Sequence, residues 1–210
     1  MIRIIIADDH ALIRAGLREI LTTQPKMHVI EAKNGQELLN KLKILDIHVV
    51  VLDISMPGRS GLDVLKEIKN LYPKLPVLML SVYPEDQYAI RALKAGASGY
   101  LTKDSAPEKL VAAIEKVLEG GKYVSSSIAE KLIVELNEKN KDKLPHEKLS
   151  DREYGVLCRI GSGKSVSEIA EELFLSAKTI STYRARILEK TGLKNNSDII
   201  HYVIGNDLLE

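Results

Sequence analysis

The sequence predicts an α/β first half, a five-stranded doubly wound parallel sheet, linked to an all-α four-helix second half. Three observations predict it. From Met1 to about Gly121, short β-branched runs alternate with amphipathic stretches, as repeated βα units around a parallel sheet require. Residues 137–143 read Asn-Glu-Lys-Asn-Lys-Asp-Lys, almost wholly polar, with Pro145 close behind, the composition of a solvated tether. From Lys148 on, strand-like alternation gives way to four short helical patterns.

Strands are predicted near residues 2–7, 27–31, 48–52, 77–81 and 98–102, and helices near 11–22, 35–45, 62–71, 85–95 and 107–119. In the last of these helices Leu110, Ile114, Val117 and Leu118 recur at helical spacing, and Gly120-Gly121 stops it. Ile128–Leu136 reads as one further amphipathic helix. Beyond the tether, Ser150 is an N-cap with Glu153 as its capping-box partner, and Gly161 and Gly163 end that helix. Val166–Leu173 follows, then a turn over Phe174–Ala177, then helices over Lys178–Thr191 and Asn196–Ile204. Two short helices joined by a tight turn form a helix-turn-helix. The small Ala170 suits their close crossing, Ile169, Leu173, Leu175 and Ile180 supply the shared core, and Phe174 is expected to pack inward.

A chain of 210 residues is comfortable for two domains. Apolar residues make up 45% and charged residues 28%, and the formal net charge is +1, so any nucleic-acid site must be a local patch. The lone cysteine, Cys158, has no internal disulfide partner, which fits a reducing cytosol. The apolar run in MIRIIIADDH is too short for a signal peptide, and no segment approaches a membrane span. A cytoplasmic protein without membrane contact is expected.

Asp8 and Asp9, Asp53, Ser81 and Lys103 each stand where an apolar run ends, and in open α/β sheets ligands bind at the carboxyl ends of strands. Taken singly, Asp8 or Asp9 reads equally as a helix cap, Ser81 as a turn residue and Lys103 as a surface charge. Their recurrence at consecutive strand ends argues for one pocket. Three gathered carboxylates repel one another unless a cation neutralises them. Mg²⁺ is favoured, since it binds through one or two carboxylates and accepts a phosphate oxygen. Asp9 and Asp53 are expected as direct ligands, with Asp8 acting through water and the backbone carbonyl of Ser55 completing the set. Asp53 is the expected nucleophile toward phosphorus, with Lys103 neutralising charge. Ser55 occupies the place where aspartyl phosphatases usually carry a second acid. An enzyme acting on a small phosphate ester stays open as an alternative.

Between Ser176 and Lys194 the basic residues Lys178, Arg184, Arg186, Lys190 and Lys194 are opposed by Glu189 alone. Ser176 is a good N-cap, so Thr179 and nearby amides can meet a phosphate. Ser181, Thr182 and Ala185 would line a strip small enough to approach base edges, with Tyr183, Arg184, Arg186 and Lys190 on flanking phosphates. A solvated helix face, or helices that bind a protein partner, are the competing readings. Ile199, Ile200, Val203 and Ile204 in the last helix read either as a dimer contact or as ordinary core.

Asp8-Asp9, Asp53-Ile-Ser-Met-Pro-Gly58, Gly61, Ser81, Gly96-Ala-Ser-Gly-Tyr100 and Lys103 resemble the receiver domain of bacterial two-component response regulators. The resemblance implies that a histidine kinase phosphorylates Asp53, that Asp8 and Asp9 hold Mg²⁺, that Lys103 and Ser81 contact the phosphoryl group, and that Tyr100 is a switch. Leu149-Ser150-x-Arg152-Glu153, Glu168-Ile-Ala170, Leu175-Ser176, Lys178-Thr179-Ile180 and Tyr183-Arg184 resemble the LuxR-type helix-turn-helix of NarL/FixJ-family regulators. Together they imply a receiver over 1–121, a linker with a helical segment over 122–146 and a DNA-binding domain over 147–210. The expected function is phosphorylation-dependent transcriptional control, not enzymatic turnover. Double-stranded promoter DNA is the expected ligand and a homodimer the expected phosphorylated state, with RNA polymerase admitted as a further partner.

Overall fold

A computed structural model describes residues 1–83, 85–137 and 144–208, without the side chains of 86, 87 and 134–137. The expected tether lies, from residue 138 on, outside the described residues. Two compact units emerge, Met1–Ile133 and Val134–Glu210.

In the first unit strands β1 (Ile2–Ala7), β2 (Met27–Ala32), β3 (Val49–Asp53), β4 (Val77–Ser81) and β5 (Gly99–Thr102) alternate with helices α1 (Ala11–Thr22), α2 (Gly35–Ile44), α3 (Gly61–Leu71), α4 (Glu85–Lys94) and α5 (Ala106–Leu118). Helix α6 (Ser126–Asn137) follows. The strands are all parallel, in the order β2-β1-β3-β4-β5. The order reverses between β1 and β3, and such a reversal opens a crevice at the carboxyl ends of those strands.

Side-chain alternation then decides which residues meet. Ile4 pairs with Val49, Ile6 and Val51 pair with each other, Val51 also pairs with Leu78, and Leu80 pairs with Leu101. These residues share one face and pack against Leu17 and Leu21 of α1 and Leu110, Ala113, Ile114 and Val117 of α5. The alternate set, including Ile5, Val50, Leu52 and Met79, is equally buried and faces the opposite side. Helices on both faces explain why β3 and β4 are apolar almost without interruption. Each fully buried Ile, Leu or Val contributes about 1.5–3 kcal/mol relative to exposure.

The second unit begins with a 3-10 turn at Pro145–Lys148, followed by α7 (Asp151–Gly161), α8 (Val166–Glu172), α9 (Ala177–Thr191) and α10 (Asn196–Gly205). Ser150 and Glu153 form the expected capping box, and Ser165 and Glu168 form a second at the start of α8. Helix α7 is buried from Glu153 to Gly161 and packs on α9 and α10. A Cβ at Gly161 would lie 2.5 Å from Val203 Cγ1, so only glycine lets α7 and α10 approach this closely. Ile169 and Ile180 are fully buried, while Leu173 and Leu175 are half-buried.

Phe174 does not pack inward; it is 72% exposed. The reason is backbone geometry. Its N–H donates to the Glu171 carbonyl at 3.1 Å and that of Leu175 donates to Ala170 at 2.8 Å, closing α8 in a Schellman motif. That motif needs a left-handed residue, and Phe174 supplies it with φ +52°, which turns the ring outward. Helix α7 ends in the same bonding pattern, Gly163 to Ile160 and Lys164 to Arg159, with glycine at the left-handed position. In α10, Ile199 and Val203 are wholly buried and belong to the core, whereas Ile204 is 57% exposed and Ile200 half-buried. Only the latter two remain available to a dimer contact.

Candidate functional site

Asp8 lies two residues beyond Ile6, Asp53 two beyond Val51, and Lys103 two beyond Leu101. All three therefore project toward the α1/α5 side of the sheet, at its carboxyl edge. Lys103 Nζ stands 2.7 Å from Asp8 Oδ2 and 2.9 Å from Asp53 Oδ2. Asp8 is fully buried and Asp53 nearly so. Asp8 Oδ1 accepts the His10 amide at 2.8 Å, and Arg14, itself buried, donates to the Asp8 carbonyl at 2.8 Å. Asp53 Oδ1 accepts the Ser55 amide at 3.2 Å. The chain then turns back sharply: the Gly61 amide donates to the Ile54 carbonyl at 2.9 Å, and a Cβ on Gly61 would fall 2.0 Å from the Asp53 carbonyl oxygen.

Asp8, Asp9, His10 and Asp53 each offer a ligand atom, all within 4.8 Å of one another. Asp8 Oδ2 and Asp9 Oδ1 are buried without an aligned hydrogen bond, although Lys103 stands at ion-pair distance from the first and the His10 ring 3.0 Å from the second. Buried carboxylate oxygens left in this state suit an oxygen-seeking divalent cation. Burial, and then the charge of Asp8, push the Asp53 carboxyl up to about 6, against the pull of Lys103 and the Ser55 amide. It is thus mostly ionised at neutral pH. Burial alone would lower Lys103, but the charges of Asp53 and Asp8 outweigh it and hold its ammonium above the usual value.

Ser81 and Tyr100 belong to the other side-chain parity and are both buried. Ser81 Oγ accepts the Tyr83 amide at 3.0 Å, and the Tyr100 hydroxyl donates to the Tyr83 carbonyl at 2.9 Å. The Tyr83 amide and carbonyl are therefore tied to the expected phosphoryl contact and the expected switch residue. Burial pushes the Tyr100 phenol far above its ordinary value, so it remains a neutral donor. The Tyr83 ring packs on the buried Tyr88, with centroids 5.1 Å apart.

In the second unit, α9 presents Lys178, Ser181, Thr182, Ala185 and Arg186 to solvent. Ser176, Lys178, Thr179, Thr182, Tyr183 and Arg186 line an open depression of about 300 Å³. The Ser176 hydroxyl accepts the Thr179 amide at 3.1 Å and pairs with the Thr179 hydroxyl at 2.8 Å, so that amide is already engaged within the cap. Two of the expected basic contacts carry intramolecular partners. Arg184 Nε donates to Asn196 Oδ1 at 2.5 Å, and Lys190 Nζ lies 2.6 Å from the buried carboxylate of Glu153. Burial lifts Glu153, but hydrogen bonds from Lys190 and Ser150 prevail and hold it below the ordinary value.

Sequence reasoning did not single out His10, Asn196 or the buried Arg159, which joins α7 to Glu172 at 3.2 Å. His10 follows the acidic pair directly, and that adjacency was the available signal. For Arg159 and Asn196 no local pattern announces a partner in another helix.

Comparison with known proteins matches both units. The response regulator receiver domain family matches residues 4–115, and the bacterial regulatory proteins of the luxR family match residues 147–203. Response regulator UvrY of Escherichia coli (strain K12) is 35% identical over 209 residues, spanning 99% of this chain and 96% of that protein. Response regulator GacA of Pseudomonas protegens is 34% identical over 211 residues, 100% and 99% of the two chains. Among solved structures, RcsB of Salmonella enterica serovar Typhimurium, bound to promoter rprA in the presence of the phosphomimetic BeF3-, has a TM-score of 0.63 at 29% identity, covering 97% of this chain and 98% of that one. No described helix is long and apolar enough to cross a membrane.

Proposed function

The chain belongs to the NarL/FixJ family of two-component response regulators, and from that premise we propose that Asp53 is the residue through which a histidine kinase controls promoter binding by α9. The family's task is phosphorylation-dependent control of transcription, carried out in the cytoplasm on this reading. The observation that carries the residue assignment is the convergence of Asp8, Asp53 and Lys103 on one buried point at the β1/β3 reversal.

Asp53, ionised at neutral pH, attacks phosphorus; the new P–O bond forms as the bond to the donor's imidazole breaks and that imidazole leaves with the electron pair. Lys103 offsets the charge added to the pocket. Asp9, Asp53 and the Ser55 carbonyl are the residues to hold Mg²⁺, with Asp8 in support through water. The cation supplies charge neutralisation at the phosphoryl oxygens. Ser81, whose carbonyl accepts the Lys103 amide at 2.6 Å, is the residue we assign to hydrogen-bond a phosphoryl oxygen, with Tyr100 following through their shared hold on Tyr83.

On α9, Ser181, Thr182 and Ala185 form the strip facing base edges, and Lys178, Thr179, Tyr183, Arg184 and Arg186 serve as flanking contacts. Lys190 contributes first to the helix packing through Glu153. Paired binding to two half-sites, with Ile200 and Ile204 of α10 in the dimer contact, raises affinity through effective concentration. The domain limits we propose are 1–121, 122–146 and 147–210. Asp53→Asn is expected to abolish phosphoryl uptake from acetyl phosphate, and with it the donor-dependent gain in DNA affinity. Retained labelling in that variant places the acceptor elsewhere.

A further inference from the structure

We propose that Asn196 is a positioning residue for DNA binding: it orients the Arg184 guanidinium so that its two terminal nitrogens meet a backbone phosphate as a preset fork. This rests on the reading of α9 as the helix that contacts DNA, with Arg184 as one of its flanking contacts. Arg184 is half-buried and lies on the helix face that carries the fully buried Ile180 and Ile187, four residues before it and three after. Its side chain runs to the start of α10, where Nε donates to Asn196 Oδ1 at 2.5 Å.

The acceptor is itself fixed. Asn196 is the first residue of α10, and the chain around it is closed by two bonds: Asn195 Oδ1 accepts the Asp198 amide at 3.0 Å, and Asp198 Oδ2 accepts the Lys194 amide at 2.8 Å. A guanidinium carries its donors in one rigid plane. Holding Nε therefore sets the direction of the terminal nitrogens, whose spacing suits bidentate contact with a phosphate. The partner's chemistry matters as much as its place. Asn196 is neutral, so the bond orients Arg184 without cancelling its charge. Lys190, on the same helix, meets the carboxylate of Glu153 instead, and that charge would compete with a phosphate. An arginine ordered in advance also has less conformational freedom to lose when DNA arrives.

Phosphate contacts are independent of sequence, so the test uses a labelled mixed-sequence duplex. Its anisotropy is followed with the full-length protein, acetyl phosphate and Mg²⁺ present, over a series of salt concentrations. Arg184→Ala is expected to weaken binding and to lower the slope of log affinity against log salt by about one. Asn196→Ala is expected to weaken binding about two- to tenfold at unchanged slope, and by less than about 1.5-fold where Arg184 is already alanine. The same loss in both backgrounds overturns the proposal, since Asn196 would then touch DNA itself or support α10 alone. An affinity that Asn196→Ala leaves unchanged overturns it as well. Equal losses in the two single variants, with neither slope altered, also overturn it, because the pair would then be a structural tie between α9 and α10. If Arg184→Ala changes neither affinity nor slope, Arg184 leaves the interface and the proposal falls with that assignment, a result distinct from the other three.

Discussion

Each unit of this protein buries a carboxylate against a lysine ammonium, and the two pairs have opposite electrostatic outcomes. In the first unit Asp53 meets Lys103 at 2.9 Å but shares it with Asp8, and its carboxyl is pushed up to about 6. In the second, Glu153 has Lys190 at 2.6 Å together with the Ser150 amide, and its carboxyl is held below the ordinary value. Burial acts in the same direction on both. It weighs more on Asp53, and the neighbours differ too: a second carboxylate in one place, a helix cap in the other. A buried acid left short of positive charge is poised to take up a cation or a phosphoryl group, while one fully satisfied holds helices together.

The Asp53 site depends most strongly on the backbone turn that follows β3. Gly61→Ala sets a methyl group 2.0 Å from the Asp53 carbonyl oxygen, and the strain is expected to cost about 3 kcal/mol and to impair phosphoryl uptake, checked by chemical denaturation and acetyl phosphate labelling. Unaltered stability would show that the turn after β3 is not what fixes Asp53.

Removing the charge sharpens the contrast, because the two acids are expected to respond with opposite sign. Glu153→Gln or Lys190→Ala should destabilise the second unit by about 1–3 kcal/mol. The lowered Glu153 contributes stability that is present above its unfolded value and is lost as pH falls through its folded one. Asp53→Asn, in chelator, should instead stabilise the first unit by about 1–2 kcal/mol at neutral pH. Asp53 is raised, so its contribution is full in acid and is lost as pH rises through about 6. Thermal melts of both variants between pH 4 and 8 measure the sign directly, and destabilisation by Asp53→Asn at neutral pH would end the contrast.

The smallest effect concerns the two Schellman endings. Gly163 closes α7 without strain, whereas Phe174 closes α8 at φ +52° with its ring exposed. Phe174→Gly should raise stability by about 0.5–1 kcal/mol, seen as a rise in Tm. A fall would mean that the ring makes a contribution its exposure does not suggest.

The sheet and its pocket were open to sequence reading because both follow from periodicity. Strand runs ending in Asp8, Asp53, Ser81 and Lys103 carry their own placement, since parallel pairing and side-chain parity do the rest. Helix caps at Ser150 and Ser176 were equally local. What could not be read were the contacts between helices far apart in sequence. Lys190 reads as one basic residue among several on α9 until folding sets it against Glu153, and Arg184 meets Asn196 only because α10 starts beside it. Phe174 misled because its hydrophobicity argued for the interior while the geometry of the helix end demanded the surface.

The doubly tethered peptide at Tyr83 sets a scale for signalling. An event that draws the Ser81 hydroxyl toward Asp53 gives up the bond to the Tyr83 amide, and a swing of Tyr100 gives up the one to its carbonyl. With each bond worth about 1 kcal/mol net, the resting arrangement is favoured by roughly ten- to thirtyfold from this latch alone. On the proposed function, a margin of this size is one that a single bound phosphate can overturn.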